Sequence, residues 1–223
     1  MRRAILLAAC VSLCGWSLFA TDTNNFIDDW FAAQKNLQSW SANIIQTRKL
    51  KTLTQPLVAE GRVDFAVPDR FCWELGKPAR TIAVSDGSQM FVIYPLLKRA
   101  ERYPIGQNAP KQWRDTMSLL QAGFPRNRKE FEAQFQVLSL TETNGNWQFA
   151  LQPKSQLARQ MMPVLCLGLA TNDFALVSTE MTFVDGSKMR NDFTNAVINP
   201  ALDKKVFAWQ PPADFKVTEP LSQ

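Results

Sequence analysis

The sequence predicts a mainly β fold with α: a large, strongly curved antiparallel sheet capped on one side by helices. Three observations carry this. From Ala42 onward, short runs of alternating apolar and polar residues are separated by turn residues. Thr143-Asn144-Gly145 and Asp185-Gly186 are hairpin signals. Two segments, one before the strands and one between two groups of them, carry apolar residues at helical spacing instead.

The first twenty residues stand apart. Arg2 and Arg3 precede an apolar run, Ala4 to Ala20, broken only by Ser12, Gly15 and Ser17 and followed by polar Thr21-Asp22-Thr23-Asn24. A charged start, a short apolar stretch and a small residue at its end make a secretory signal, with cleavage after Ala20. Leu7-Ala8-Ala9-Cys10 has the form of a lipidation site, but it leaves a very short apolar region after Arg3. The expected mature chain is therefore soluble, exported and a single domain over residues 21–223.

Residues 24–38 begin the fold as a helix, with Phe26, Ile27, Trp30, Phe31, Gln34 and Leu37 on one aromatic face and Thr23 or Asn24 as its cap. Strands are expected at 42–51, 61–67, 70–75, 81–85, 90–94 and 99–103, divided by turns such as Pro68-Asp69 and Asp86-Gly87-Ser88. Residues 111–121 read as a helix bearing Trp113, Met117 and Leu120, with Gly123 beyond its end. A second strand group follows at 131–142, 146–152, 161–169, 174–183 and 188–196, with a last piece near 206–209. Pro163 sits poorly in a central strand because it has no ladder donor. About 10 or 11 short strands must curl, and their apolar face encloses either a packed core or a cavity. Periodicity does not distinguish the two.

Composition excludes several activities. Arg2 and Arg3 leave with the signal, so 23 basic residues face 20 acidic ones in the remainder. That balance is too even for a nucleic-acid binder. There is no histidine, no Gly-x-Ser-x-Gly and no phosphate-cradling glycine loop. Acidic residues fall at a helix start, turns and strand edges, as caps and solvated turns rather than as a catalytic pair. Cys72 and Cys166, the two cysteines outside the signal, have no companion metal ligands. They either bridge or pack as small hydrophobes.

The order of the segments resembles a known family. Gly61-Arg62-Val63-Asp64-Phe65 leads to Pro68-Asp69-Arg70-Phe71-Cys72-Trp73-Glu74, then to Pro78, Ser85-Asp86-Gly87 and Phe91-Val92-Ile93-Tyr94-Pro95. Farther on stand Trp147 to Lys154, Met181-Thr182-Phe183-Val184-Asp185-Gly186, Arg190-Asn191-Asp192-Phe193 and Phe207-Ala208-Trp209-Gln210-Pro211-Pro212. This series resembles the periplasmic carriers of outer-membrane lipoproteins, the LolA type. The resemblance implies an unclosed, strongly curved antiparallel β-barrel covered by helices, whose apolar cavity receives acyl chains. It implies no catalysis and no cofactor. The implied partners are acylated lipoproteins or other acyl lipids, an inner-membrane ATP-driven release complex and an outer-membrane receptor, met by a monomer in the periplasm. A noncatalytic periplasmic protein binding lipid or glycolipid is the alternative. Cavity or lid positions are expected at Trp30, Phe31, Phe65, Arg70, Trp73, Phe91, Ile93 and Phe183. Family members often carry an arginine where Val67 stands, helping to hold the lid closed. Arg70 supplies a related bond only if its side chain turns inward.

Overall fold

A computed structural model describes residues 23–106, 109–110, 113–114, 117, 122–125 and 127–221. The expected signal and the Cys10 motif lie outside these residues. Among the described residues, twelve strands form one sheet in the order β12-β6-β5-β4-β3-β2-β1-β11-β10-β9-β8-β7. Every neighbour pair is antiparallel except β12 and β6. The two outermost strands do not meet, so the curved sheet remains unclosed under its helices.

The first half is a meander: β1 (Ser39–Lys49), β2 (Leu57–Ala66), β3 (Arg70–Leu75), β4 (Thr81–Asp86), β5 (Gln89–Tyr94) and β6 (Arg99–Pro104). Gly61 allows β2 and β3 to approach closely, because a Cβ there would lie 1.8 Å from the Glu74 carbonyl oxygen. The second half comprises β7 (Phe135–Thr143), β8 (Asn146–Pro153), β9 (Val164–Ala170), β10 (Leu176–Thr182) and β11 (Lys188–Ile198). Asn144 and Gly145 both take positive φ, 52° and 71°, as a two-residue hairpin turn requires.

Three helices that lie wholly among the described residues cover the inner face: α1 (Thr23–Gln34), α2 (Arg128–Gln134) and α3 (Gln156–Met161). The expected strand at 131–142 starts only at Phe135. Asn127 accepts a bond from the Glu130 backbone N–H, 2.9 Å, and this cap commits the preceding residues to α2. Ser155 caps α3 in the same way, so the strand expected from Met161 starts at Val164, after Pro163. Of the helix expected at 111–121, Trp113, Arg114 and Met117 are helical, and the others lie outside the described residues. Trp113 stacks on Tyr103 of β6 with ring centroids 4.5 Å apart.

Two apolar clusters lie on opposite faces. On the inner face, Phe26, Ile27 and Trp30 of α1 pack with Phe131 and with Phe149, Leu165 and Leu167 of the second half. On the outer face, Cys72, Val84, Phe91, Ile93 and Ala100 are covered by a C-terminal strap bearing Leu202, Phe207, Trp209 and Phe215. Of the last strand expected near 206–209, Val206 and Phe207 are instead part of a 3-10 turn, Lys204–Phe207, begun by Asp203, whose carboxylate accepts from the Lys205 N–H, and Ala208 and Trp209 follow it without regular structure. The strap ends as β12 (Lys216–Thr218), running parallel to β6. Cys72 and Cys166 are free thiols.

Candidate functional site

Strand parity builds the site. Val63 and Phe65 of β2, Phe71, Trp73 and Leu75 of β3, Ala83 of β4, and Met90 and Val92 of β5 all turn to the inner face. Met181 of β10 and Met189 and Phe193 of β11 close the space from the other half. Together they border a cavity of about 260 Å³. Among the described residues, none that lines it is ionisable. Such a space can hold an apolar group but provides no side chain for proton transfer.

Phe124 forms the roof. Its ring stacks on Phe65 at 4.8 Å with the planes 11° apart, and it meets Trp40 at 5.1 Å. It also borders two clefts outside the cavity. One, of about 490 Å³, is flanked by Phe31, Val67 and Pro125. The other, of about 90 Å³, is flanked by Leu37, Phe174 and Asn199. Phe124 is thus the shared wall of three spaces. The Gln34 side-chain amide at the end of α1 donates to the Gly123 carbonyl, 3.2 Å, and so ties the helix to this roof.

One polar rung crosses the lining. Gln46 of β1, Asn191 of β11 and Thr179 of β10 are register partners on adjacent strands. Gln46 Nε2 donates to Asn191 Oδ1, 3.0 Å, and Asn191 Nδ2 donates to Thr179 Oγ1, 2.9 Å. All three side chains border the cavity.

The expected cavity and lid residues divide into groups. Phe65 and Trp73 line the cavity. Phe31 borders the cleft beside Phe65 and Phe124. Trp30 is fully buried against Phe131 and Phe149 in packed core, at centroid distances of 5.3 and 5.6 Å. Phe183 packs on the inner cluster without reaching the cavity. Phe91 and Ile93 belong on the outer face, because Met90 and Val92 occupy the inward positions of β5. The structure therefore does not bring Phe31, Trp73 and Phe91 together. Arg70 also turns outward: its guanidinium lies 5.7 Å from the Phe207 ring centroid and donates to the Val67 carbonyl, 3.2 Å. The inward bond considered for it does not form, and Gln34 provides a different tie between helix and roof.

Sequence reasoning passed over Phe124 and the polar rung. Phe124 follows a helix-ending glycine and looks like a loop residue, while Gln46, Thr179 and Asn191 look like the polar half of an alternating strand. The signal that could have found them was parity. Counting in steps of two from Phe193 reaches Asn191, and from Trp40 reaches Gln46.

Residues 35–210 match the family described as outer membrane lipoprotein carrier protein LolA. The chain is 25% identical over 179 residues to an outer-membrane lipoprotein carrier protein of Hahella chejuensis (strain KCTC 2396), covering 80% of each chain. It is 25% identical over 200 residues to one of Pseudoalteromonas translucida (strain TAC 125), covering 88% of this chain and 90% of that one. The crystal structure of an uncharacterized conserved protein from Thermus thermophilus shares the fold, with a TM-score of 0.51 at 11% identity, over 88% of this chain and 98% of that chain. With the family match running from the end of α1 to the C-terminal strap, the chain belongs to the LolA family of outer membrane lipoprotein carrier proteins.

Proposed function

We propose that the protein is a periplasmic carrier that shields lipoprotein acyl chains in its apolar cavity and delivers them towards the outer membrane. In this reading residues 1–20 are an export signal and residues 21–223 the carrier domain. An inner-membrane ATP-driven complex supplies the cargo and an outer-membrane receptor takes it. The observation that carries the proposal is a cavity with no ionisable lining among the described residues, roofed by one aromatic ring that also borders two outer clefts. Each methylene withdrawn from water is worth about 0.8 kcal/mol, so a carrier needs no other chemistry to hold an acyl chain.

The cavity of about 260 Å³ is small beside ligand pockets of about 300–1,000 Å³, so in this reading loading a whole chain moves the roof to make room. Swinging Phe124 aside would join the cavity to both clefts. The test is displacement of a fluorescent fatty acyl probe from the purified mature chain by a diacylated lipopeptide, together with identification of cargo bound in cell envelopes. Displacement and recovery of acylated protein are the expected results. Phe124→Ala should speed probe binding and release, because the roof no longer gates the space. Recovery of only free phospholipid or glycolipid would instead establish the alternative of a lipid-binding protein.

A further inference from the structure

We infer that the Gln46–Asn191–Thr179 rung is a hydrogen-bonding subsite, selecting acyl chains that carry a hydroxyl or a secondary amide over plain hydrocarbon chains. This rests on the acyl-binding reading above. An apolar cavity gains nothing from three polar side chains unless their hydrogen-bonding capacity is used. Here the rung satisfies itself only in part. Asn191, with none of its surface exposed, accepts from Gln46 and donates to Thr179. Thr179 Oγ1 therefore acts as an acceptor, leaving its own O–H to donate. Gln46 gives one of its two amide N–H groups to Asn191, and among the described residues no group donates to its amide oxygen.

The rung thus offers the cavity two donors, the Thr179 hydroxyl and the second Gln46 amide N–H, and one open acceptor, the Gln46 carbonyl oxygen. A hydroxyl or a secondary amide can donate to the Gln46 oxygen or accept from either donor, whereas an ester carbonyl can only accept. Position fits the head of a chain. The next inward-facing row toward the strand ends, Met181 and Met189 with exposed Arg48 beside them, lies two residues away, about 7 Å. On the other side, Phe193 and Trp40 lead to the aromatic roof. A chain whose polar group reaches the rung has its tail among the rings. A plain chain in the same place strips water from the rung and replaces nothing, which is how a hydrogen-bonding site rejects an analogue lacking the group.

The test uses the mature chain and three competitors of equal chain length against one fluorescent acyl probe: a 3-hydroxy fatty acid, an N-acylglycine and the unsubstituted fatty acid. The hydroxylated or the N-acylated competitor should bind about three- to tenfold more tightly than the plain one, the worth of one net hydrogen bond. Which of them wins identifies the source of the group. In Thr179→Val, which keeps the side-chain shape, and in Gln46→Leu, the ratio between the affinities of the preferred and the plain competitor should fall to about one, whatever the change in plain-chain affinity. Equal competition by all three in the unaltered protein overturns the inference. So does a preference that survives Thr179→Val, or a variant that loses stability with its preference intact, because the rung would then be only a cross-strand tie. Failure of every acyl competitor to displace the probe overturns the carrier reading itself, a distinct result.

Discussion

Cys72 shows how much one residue's environment decides. It sits on the outer face beneath the strap, and burial, reinforced by Glu74 and Asp64, pushes its thiol from 9.0 up to about 12. Burial also raises Cys166. Both thiols therefore stay protonated at neutral pH, and the thiolate is the reactive form. Native protein at pH 8 should alkylate slowly at both positions and rapidly once unfolded, as read by intact mass. The linkage has a definite sign. Cys72, and Tyr103 with its hydroxyl raised from 10.0 to about 12 chiefly by burial, bind protons more tightly when folded. Their contribution is complete below about pH 9 and is lost as the pH rises towards about 12. Melting temperature should fall across that window, and less steeply in Cys72→Ala relative to its own neutral-pH value. A flat profile would show that neither group is coupled to folding.

Among elements, the helices and β7–β9 form a solid half, and β1–β5 with β10 and β11 form a hollow one. Trp30 belongs to the first, edge-on to Phe131 and Phe149, and Trp73 to the second, beside the cavity and 6.1 Å from Phe193. Removing a fully packed ring costs about 3–5 kcal/mol, because the neighbours relax only partly into the space. Trp30→Ala should lose stability of that order in chemical denaturation while leaving closed-cavity probe affinity nearly unchanged. Trp73→Ala should cost less, since one side of its ring already lacks neighbours, and should alter probe affinity. Equal losses with no change in binding would mean that the cavity is ordinary core. Sequence periodicity treats both tryptophans alike, since each simply marks an inward position. Their difference lies in which helices reach over them.

At the scale of the molecule, the sheet is protected on both faces by different parts of the chain. The inner face takes the helices, and the outer face of β3–β6 takes the strap carrying Phe207, which is 3% exposed, and Trp209, 5.0 Å from Phe91. Phe207→Ala should destabilise by about 3–5 kcal/mol in a denaturant titration. Ending the chain at Asn199 should uncover Phe91 and Ile93 and produce self-association, because contiguous apolar surface of this kind is a sticky patch. Sedimentation velocity would read the change. A truncated chain that remains monomeric would show that the strap is dispensable.

The division between sequence and tertiary structure follows the range of the forces involved. Alternation, hairpin residues and helix spacing act over a few neighbours, so the sequence alone determined that the chain builds a curved antiparallel sheet with helices, and placed Phe65 and Trp73 on one face. Local competition already blurred element edges, where the Asn127 and Ser155 caps turned expected strand starts into α2 and α3. Which aromatic residues meet was decided only by the fold. Phe91 is as apolar as Phe65, but Met90 and Val92 hold the inward positions of β5, and the strap supplies a second apolar surface to cover it. Phe124 becomes a roof through stacking on Phe65, 59 residues away in the chain, and the polar rung exists because β1, β11 and β10 lie side by side in one register. A cavity is a property of what fails to fill a space, and that depends on the whole set of long-range contacts, none of which is written in a run of neighbouring residues.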